Sequence, residues 1–163
     1  MRAVVSGLLL ALLLPLPVLR AREAPQAFGR WQSQPRRCTL ELSGAAPLSC
    51  RELQLDQRDQ AVLRLTLWSP GSQRGGLRQV TLVGELPAGS EPMRCRNGEC
   101  QLEKPLQLVL SGLSQAEFNS RGLVQGLPRT WPLQGSCQLS PALISCEAQE
   151  SSGSNLTLRA ELR

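Results

Sequence analysis

Six cysteines fall as three local couples, Cys38 with Cys50, Cys95 with Cys100 and Cys137 with Cys146, each followed downstream by a leucine-rich alternating run. An even number of closely spaced cysteines in a small chain reads as a framework of disulfide-closed hairpins. The middle couple is the sharpest case. In Cys95-Arg96-Asn97-Gly98-Glu99-Cys100 the strongest two-residue hairpin turn, Asn-Gly, sits at the centre. Arg96 then faces Glu99 as a hydrogen-bonded rung and Cys95 faces Cys100 as the next, non-hydrogen-bonded rung, where Cα atoms sit near 4.5 Å, within disulfide range. Folding the last couple about Pro141-Ala142 also brings Cys137 opposite Cys146, although a wider loop fits as well. For Cys38 and Cys50 the centre is Gly44, which suits an odd-numbered loop with a positive-φ residue. Three local bonds would each contribute about 2 to 3 kcal/mol by restricting the unfolded chain.

Between the couples the apolar period is two. Leu40 and Leu42, then Leu63, Leu65 and Leu67, then Val80 and Leu82, then Leu106, Leu108 and Leu110, and finally Leu156, Leu158, Ala160 and Leu162 alternate with polar neighbours, as half-buried strands do. Turn formers such as Ser69-Pro70-Gly71, Gly75-Gly76, Asn97-Gly98 and Ser151-Ser152-Gly153-Ser154 punctuate these runs. The expected fold is therefore all-β: a disulfide-stapled β-sandwich or small open barrel built from antiparallel hairpins, with at most one short helix. Residues 114–118 supply that helix, with Ser114 and Glu117 in capping-box positions. Residues 48–67 also accommodate helix. The three cysteine units suggest a three-fold echo of hairpin plus strand. The spacing has neither the interleaving of a cystine knot nor the long interval around a central tryptophan that marks an immunoglobulin domain.

The first residues place the chain in a compartment. Arg2, an apolar run broken by Pro15 and Pro17, and a final Ala21 make residues 1–21 a secretory signal peptide. The apolar run is shorter than the roughly 20 residues needed to span a bilayer. The expected product is secreted or luminal, with no direct membrane anchor. Residues 22–37 mix charge, proline and glycine without a period and read as an extended basic arm, in which Arg36-Arg37 is a candidate processing site. Residues 38–163 form a single β-rich domain.

Composition removes several chemistries. There is no histidine, which excludes the usual Ser-His-Asp and Cys-His machinery and histidine zinc sites. With all six cysteines oxidised, thiolate chemistry goes too. Glu52, Asp56 and Asp59 remain as a carboxylate set for a distant reading as an extracellular hydrolase. No cofactor or metal is expected. Removing Arg2 and Arg20 from the 18 basic residues leaves 16 against 13 acids, a balance that does not call for nucleic acid. Asn155-Leu156-Thr157 is an N-glycosylation sequon, with Asn155 expected to open a strand at an exposed sheet edge. Trp68 and Trp131 are expected to cap the core.

The expected role is a non-catalytic secreted protein-interaction module: a ligand, co-receptor or matrix-associated binder. The alternative is a structural or inhibitory luminal protein that steadies a secreted partner. The candidate partner-binding residues are Phe28, Arg30, Trp31, Arg36 and Arg37 on the arm and Arg94 and Arg96 on the middle hairpin. The expected partner is an extracellular or luminal protein, with a sulfated glycan as second choice.

Overall fold

The structure, a computed structural model, describes residues 28–163; the expected leader and the beginning of the expected arm lie outside the described residues. Twelve strands follow in order: β1 (Gly29–Ser33), β2 (Arg37–Leu42), β3 (Leu48–Ser49), β4 (Glu52–Gln57), β5 (Val62–Pro70), β6 (Leu77–Glu85), β7 (Arg94–Arg96), β8 (Glu99–Gln101), β9 (Leu106–Phe118), β10 (Arg129–Leu139), β11 (Leu143–Glu150) and β12 (Asn155–Glu161). They make one sheet in the order β3-β2-β12-β11-β10-β9-β6-β5-β4-β1-β8-β7, curled into an open half-barrel. Of the two architectures the sequence allows, the open barrel forms and the sandwich does not.

The chain itself sets the curl. Only three residues separate β1 from β2 and two separate β3 from β4, yet β2 and β3 lie at one end of the sheet order while β1 and β4 lie near the other. Four peptide steps reach at most about 14 Å, so the sheet must bend until these two regions meet. The result is a long bent hairpin, with β1 against β4 and β2 against β3. Its first arm also pairs through β2 with β12, and its second through β4 with β5.

One face of the curled sheet is leucine. Leu53, Leu55, Leu63, Leu65, Leu67, Leu82, Leu108, Leu139 and Leu158 are fully buried there. Leucine is an indifferent strand former, but strand propensity spans only about 1 kcal/mol, whereas burying each such side chain is worth roughly 2 to 3 kcal/mol. Burial wins, and the period of two decides which face turns inward.

Neither stretch expected to be helical forms a helix. Among the described residues there is no helix. Residues 114–118 continue β9, because β6 runs alongside and pairs Thr81 with Ser114 and Arg78 with Glu117. Glu117 accepts from the Arg78 guanidinium and the Ser72 amide and does not act as a cap. Residues 48–67 form β3, β4 and the start of β5: Leu53 and Leu55 point inward, Gln54 and Asp56 outward, and Asp59 makes the turn by accepting from the Ala61 and Val62 amides at 2.7 and 2.8 Å.

All three disulfides are the local ones. Cys95 lies opposite Cys100 with Cα atoms 3.9 Å apart, and Asn97 and Gly98 both have positive φ (51° and 81°), as a type I′ turn requires. Cys137 lies opposite Cys146 about a two-residue Pro141-Ala142 turn, in which Ser140 Oγ donates to the Leu143 carbonyl at 2.8 Å. The first hairpin centres on Gly44, at φ 80°. The echo extends no further than the hairpins. The first and third units flank β12, with Ala160 opposite Cys38 and Leu158 opposite Cys146, whereas the middle unit hangs on the sheet margin beside β1.

Candidate interaction surface

Part of the segment expected as an extended arm is built into the sheet. Residues 29–33 are a strand, and β1 pairs along its whole length with β4, from Gly29 opposite Gln57 to Ser33 opposite Leu53. Trp31 faces inward opposite Leu55 and packs against the core. A single tryptophan at the centre of a five-residue strand gives too little alternation to register as a period, so the segment reads as irregular in sequence. Trp31 is thus a structural residue. Its neighbours Phe28 and Arg30 face outward, Phe28 57% exposed and the Arg30 side chain 54% exposed.

Strand β1 also brings two distant parts of the sequence together. The Arg30 amide donates to the Gly98 carbonyl at 2.8 Å, and Arg30 lies beside Glu99 in a parallel bridge to β8. Gly29 permits this approach: a Cβ there would lie 2.7 Å from Cys100 Sγ and from the Gly98 oxygen. Below, the buried Gln57 amide bridges both backbone groups of Met93, accepting from its N–H at 2.8 Å and donating to its carbonyl at 3.2 Å, so the middle hairpin is tied to the sheet on two sides.

The pairing registers line up one charged row across five strands: Arg64, Asp56, Arg30, Glu99 and Arg96, alternating in sign from β5 to β7. Arg30 Nε donates to Asp56 Oδ1 at 2.8 Å, and Gln54 donates to Asp56 Oδ2 at 2.7 Å. Partial burial alone would raise the Asp56 pKa; the bonds from Arg30 and Gln54, with the positive charges of Arg30 and Arg64, outweigh it and hold the carboxyl below its ordinary 3.8. Ionised Asp56 therefore stabilises the fold above the ordinary carboxylate range, and that contribution is lost as pH falls through the lowered value. Asp56→Asn is expected to cost about 0.5 to 1 kcal/mol near neutrality. Thermal midpoints measured from pH 6 to pH 2 should converge for the two proteins as pH falls below the ordinary carboxyl value of 3.8; a gap that stays constant would contradict the assignment.

Beside this row lies an open cleft of about 530 Å³, walled by Phe28, Arg30, Asp56, Arg58, Gly98 and Glu99. The other candidate residues do not join it. Arg36 lies at the bend between β1 and β2, its amide bonded to the Glu161 carbonyl at 2.7 Å, and Arg37 opens β2 opposite Glu161. Both side chains are exposed, but the dibasic peptide is part of the ladder, and a protease would have to open it first. Arg94 lies 4.0 Å from Glu103. Glu52 and Asp56 lie on the outward side of β4 and Asp59 in the following turn; Asp56 and Asp59 are each engaged in bonds of their own. Among the described residues no group of three or more acids and cysteines is placed to hold a metal, and no helix is long and apolar enough to cross a membrane.

Three further expectations divide. Trp131 packs against the core as expected. Trp68 points to the other face and stacks obliquely on Phe118, ring centroids 5.7 Å apart. Asn155 is exposed and opens β12, but β12 runs between β11 and β2 and is no edge strand. The exposed Leu123, Val124 and Leu127 between β9 and β10 are not anticipated from the residues, since a loop shows no period. The one available signal was a run of large aliphatic residues among glycines with no alternation to bury them.

Compared with known protein families, curated proteins and solved structures, the chain matches none.

Proposed function

We propose that the protein is a non-catalytic, secreted protein-interaction module that meets an extracellular or luminal protein through the outer face of β1 and the middle hairpin. The observation that carries this reading is the alternating charged row Arg64-Asp56-Arg30-Glu99-Arg96 with Phe28 exposed beside it. An aromatic anchor next to fixed charges of both signs suits a protein surface, where opposite charges set register and the aromatic supplies affinity. The row favours a protein over a sulfated glycan, because Asp56 and Glu99 interrupt the positive charge a polyanion would follow. The three disulfides and the leader-like N-terminus support secretion.

Proximity labelling on intact cells with the secreted chain, against the double variant Phe28→Ser with Arg30→Gln, tests the reading. Loss of the labelled partners by the variant is the expected result; an unchanged set would overturn it. Elution from heparin below about 0.2 M salt is also expected. The sequon predicts a glycan on the exposed Asn155. Secreted protein should shift in mobility on endoglycosidase treatment, and Asn155→Gln should remove the shift.

A further inference from the structure

The tip between β9 and β10 has a character of its own. Residues 121–130 are exposed without a break, and Leu123 (55% exposed), Val124 (50%) and Leu127 (93%) stand in solvent within five residues. Isolated exposed aliphatics need no explanation; a cluster on one projecting loop does. The loop is held by its own bonds. Asn119 Oδ1 accepts from the amides of Arg121 and Leu123 at 2.9 and 3.0 Å, the Asn119 amide donates to the Leu123 carbonyl at 2.9 Å, and the Gln125 amide reaches the Glu117 carbonyl at 2.6 Å. Its apolar side chains are therefore presented before any partner arrives, which removes part of the ordering cost of binding.

The charge around the tip is one-sided. From Asn119 to Thr130 the only ionisable residues are Arg121 and Arg129, and the neighbouring turn between β5 and β6 carries Arg74 and no acid. That turn abuts the tip: a Cβ on Gly75 would lie 3.3 Å from Ser120 Cβ. Among the described residues, no carboxylate pairs with Arg74, Arg121 or Arg129. Glu117, the acid at this end of β9, is engaged by Arg78 and the Ser72 amide. Below Leu127 an open cleft of about 540 Å³ is walled by Arg78, Gln115, Glu117 and Arg129.

We propose that this tip docks on an anionic phospholipid surface, with Leu123, Val124 and Leu127 entering the boundary of the acyl region and Arg74, Arg121 and Arg129 lying among the headgroup phosphates. A protein partner would need a concavity shaped to a side chain as fully projected as Leu127. A fluid bilayer boundary accepts it without one. Three aliphatic side chains alone bind a bilayer weakly, and each arginine near an anionic surface adds about fivefold in affinity, so the apolar tip and its cations act together. The contact is interfacial, and it is separate from the charged row on β1.

Sedimentation of the full secreted chain with vesicles of about 30 mol% phosphatidylserine in phosphatidylcholine tests this, with release expected on raising salt to about 0.5 M. The triple variants Leu123→Ser, Val124→Ser, Leu127→Ser and Arg74→Gln, Arg121→Gln, Arg129→Gln should each weaken association by about tenfold or more, with unchanged near-ultraviolet circular dichroism. Absence of wild-type association at about 1 mM lipid, or equal association of the variants, would overturn the proposal. So would tight retention on heparin without vesicle binding, which would assign the arginines to a sulfated polymer.

Discussion

Replacing both Cys137 and Cys146 with alanine is expected to lower the unfolding free energy by about 3 kcal/mol, seen as a fall of about 10 °C in thermal midpoint. The closed loop is short, so chain entropy alone supplies a little under that figure. The position supplies the rest. Cys137 and Cys146 are 0% and 1% exposed, and their rung lies between β9 and β12 in the continuous part of the sheet. Leu108 faces Cys137 on one side and Leu158 faces Cys146 on the other, so truncation also removes packing from the core. Removing Cys95 and Cys100 should cost less globally, because that hairpin lies at the margin of the sheet. A larger loss from the marginal pair than from the central one would contradict this ordering.

Gly135→Ala is expected to cost about 3 kcal/mol, the upper range for overpacking a tightly packed site. Gly135 lies on the inward side of β10 opposite Ala148, just past the register shift that begins at Pro132. A Cβ there would fall 2.2 Å from the Glu147 carbonyl oxygen and 2.4 Å from Ala148 Cα. Both obstacles are backbone atoms of β11, so no side-chain rotation relieves the overlap; strand β11 itself must retreat, taking the Cys137–Cys146 rung with it. Gly153→Ala, at a turn where an added Cβ meets nothing within 4 Å, should cost only the strain of its positive φ of 90°, about 1 kcal/mol. Urea unfolding of the two variants compares them directly, and equal midpoints would show that the β10–β11 approach is looser than described.

Much of this architecture is legible in the residues. Strands β5, β9 and β12 carry runs in which every second residue is Leu or Ala, β6 carries a shorter one in Val80 and Leu82, and the Asn97-Gly98 turn dictates its own hairpin. What the residues hide is long-range. Nothing local in Ser114 to Phe118 distinguishes a capping box from a strand; the presence of β6 alongside decides it. Nothing in residues 29–33 shows that Leu53 and Leu55 wait to receive Trp31, because that pairing spans more than twenty residues of chain. The candidate surface is hidden for the same reason. Arg30 and Glu99 become neighbours only through a single parallel bridge, and no alternation in sequence anticipates a charge row assembled from five strands.

Presentation of Phe28 and Arg30 requires β1 to be a fixed strand, and native-state hydrogen exchange tests that most directly. Amides of β1 that bond to β4 should be protected to nearly the level of β4 and β5 and should lose that protection with them in one cooperative step. Exchange of the β1 amides at the rate of unbonded, solvent-exposed loop amides, with β4 and β5 still protected, would contradict a fixed β1.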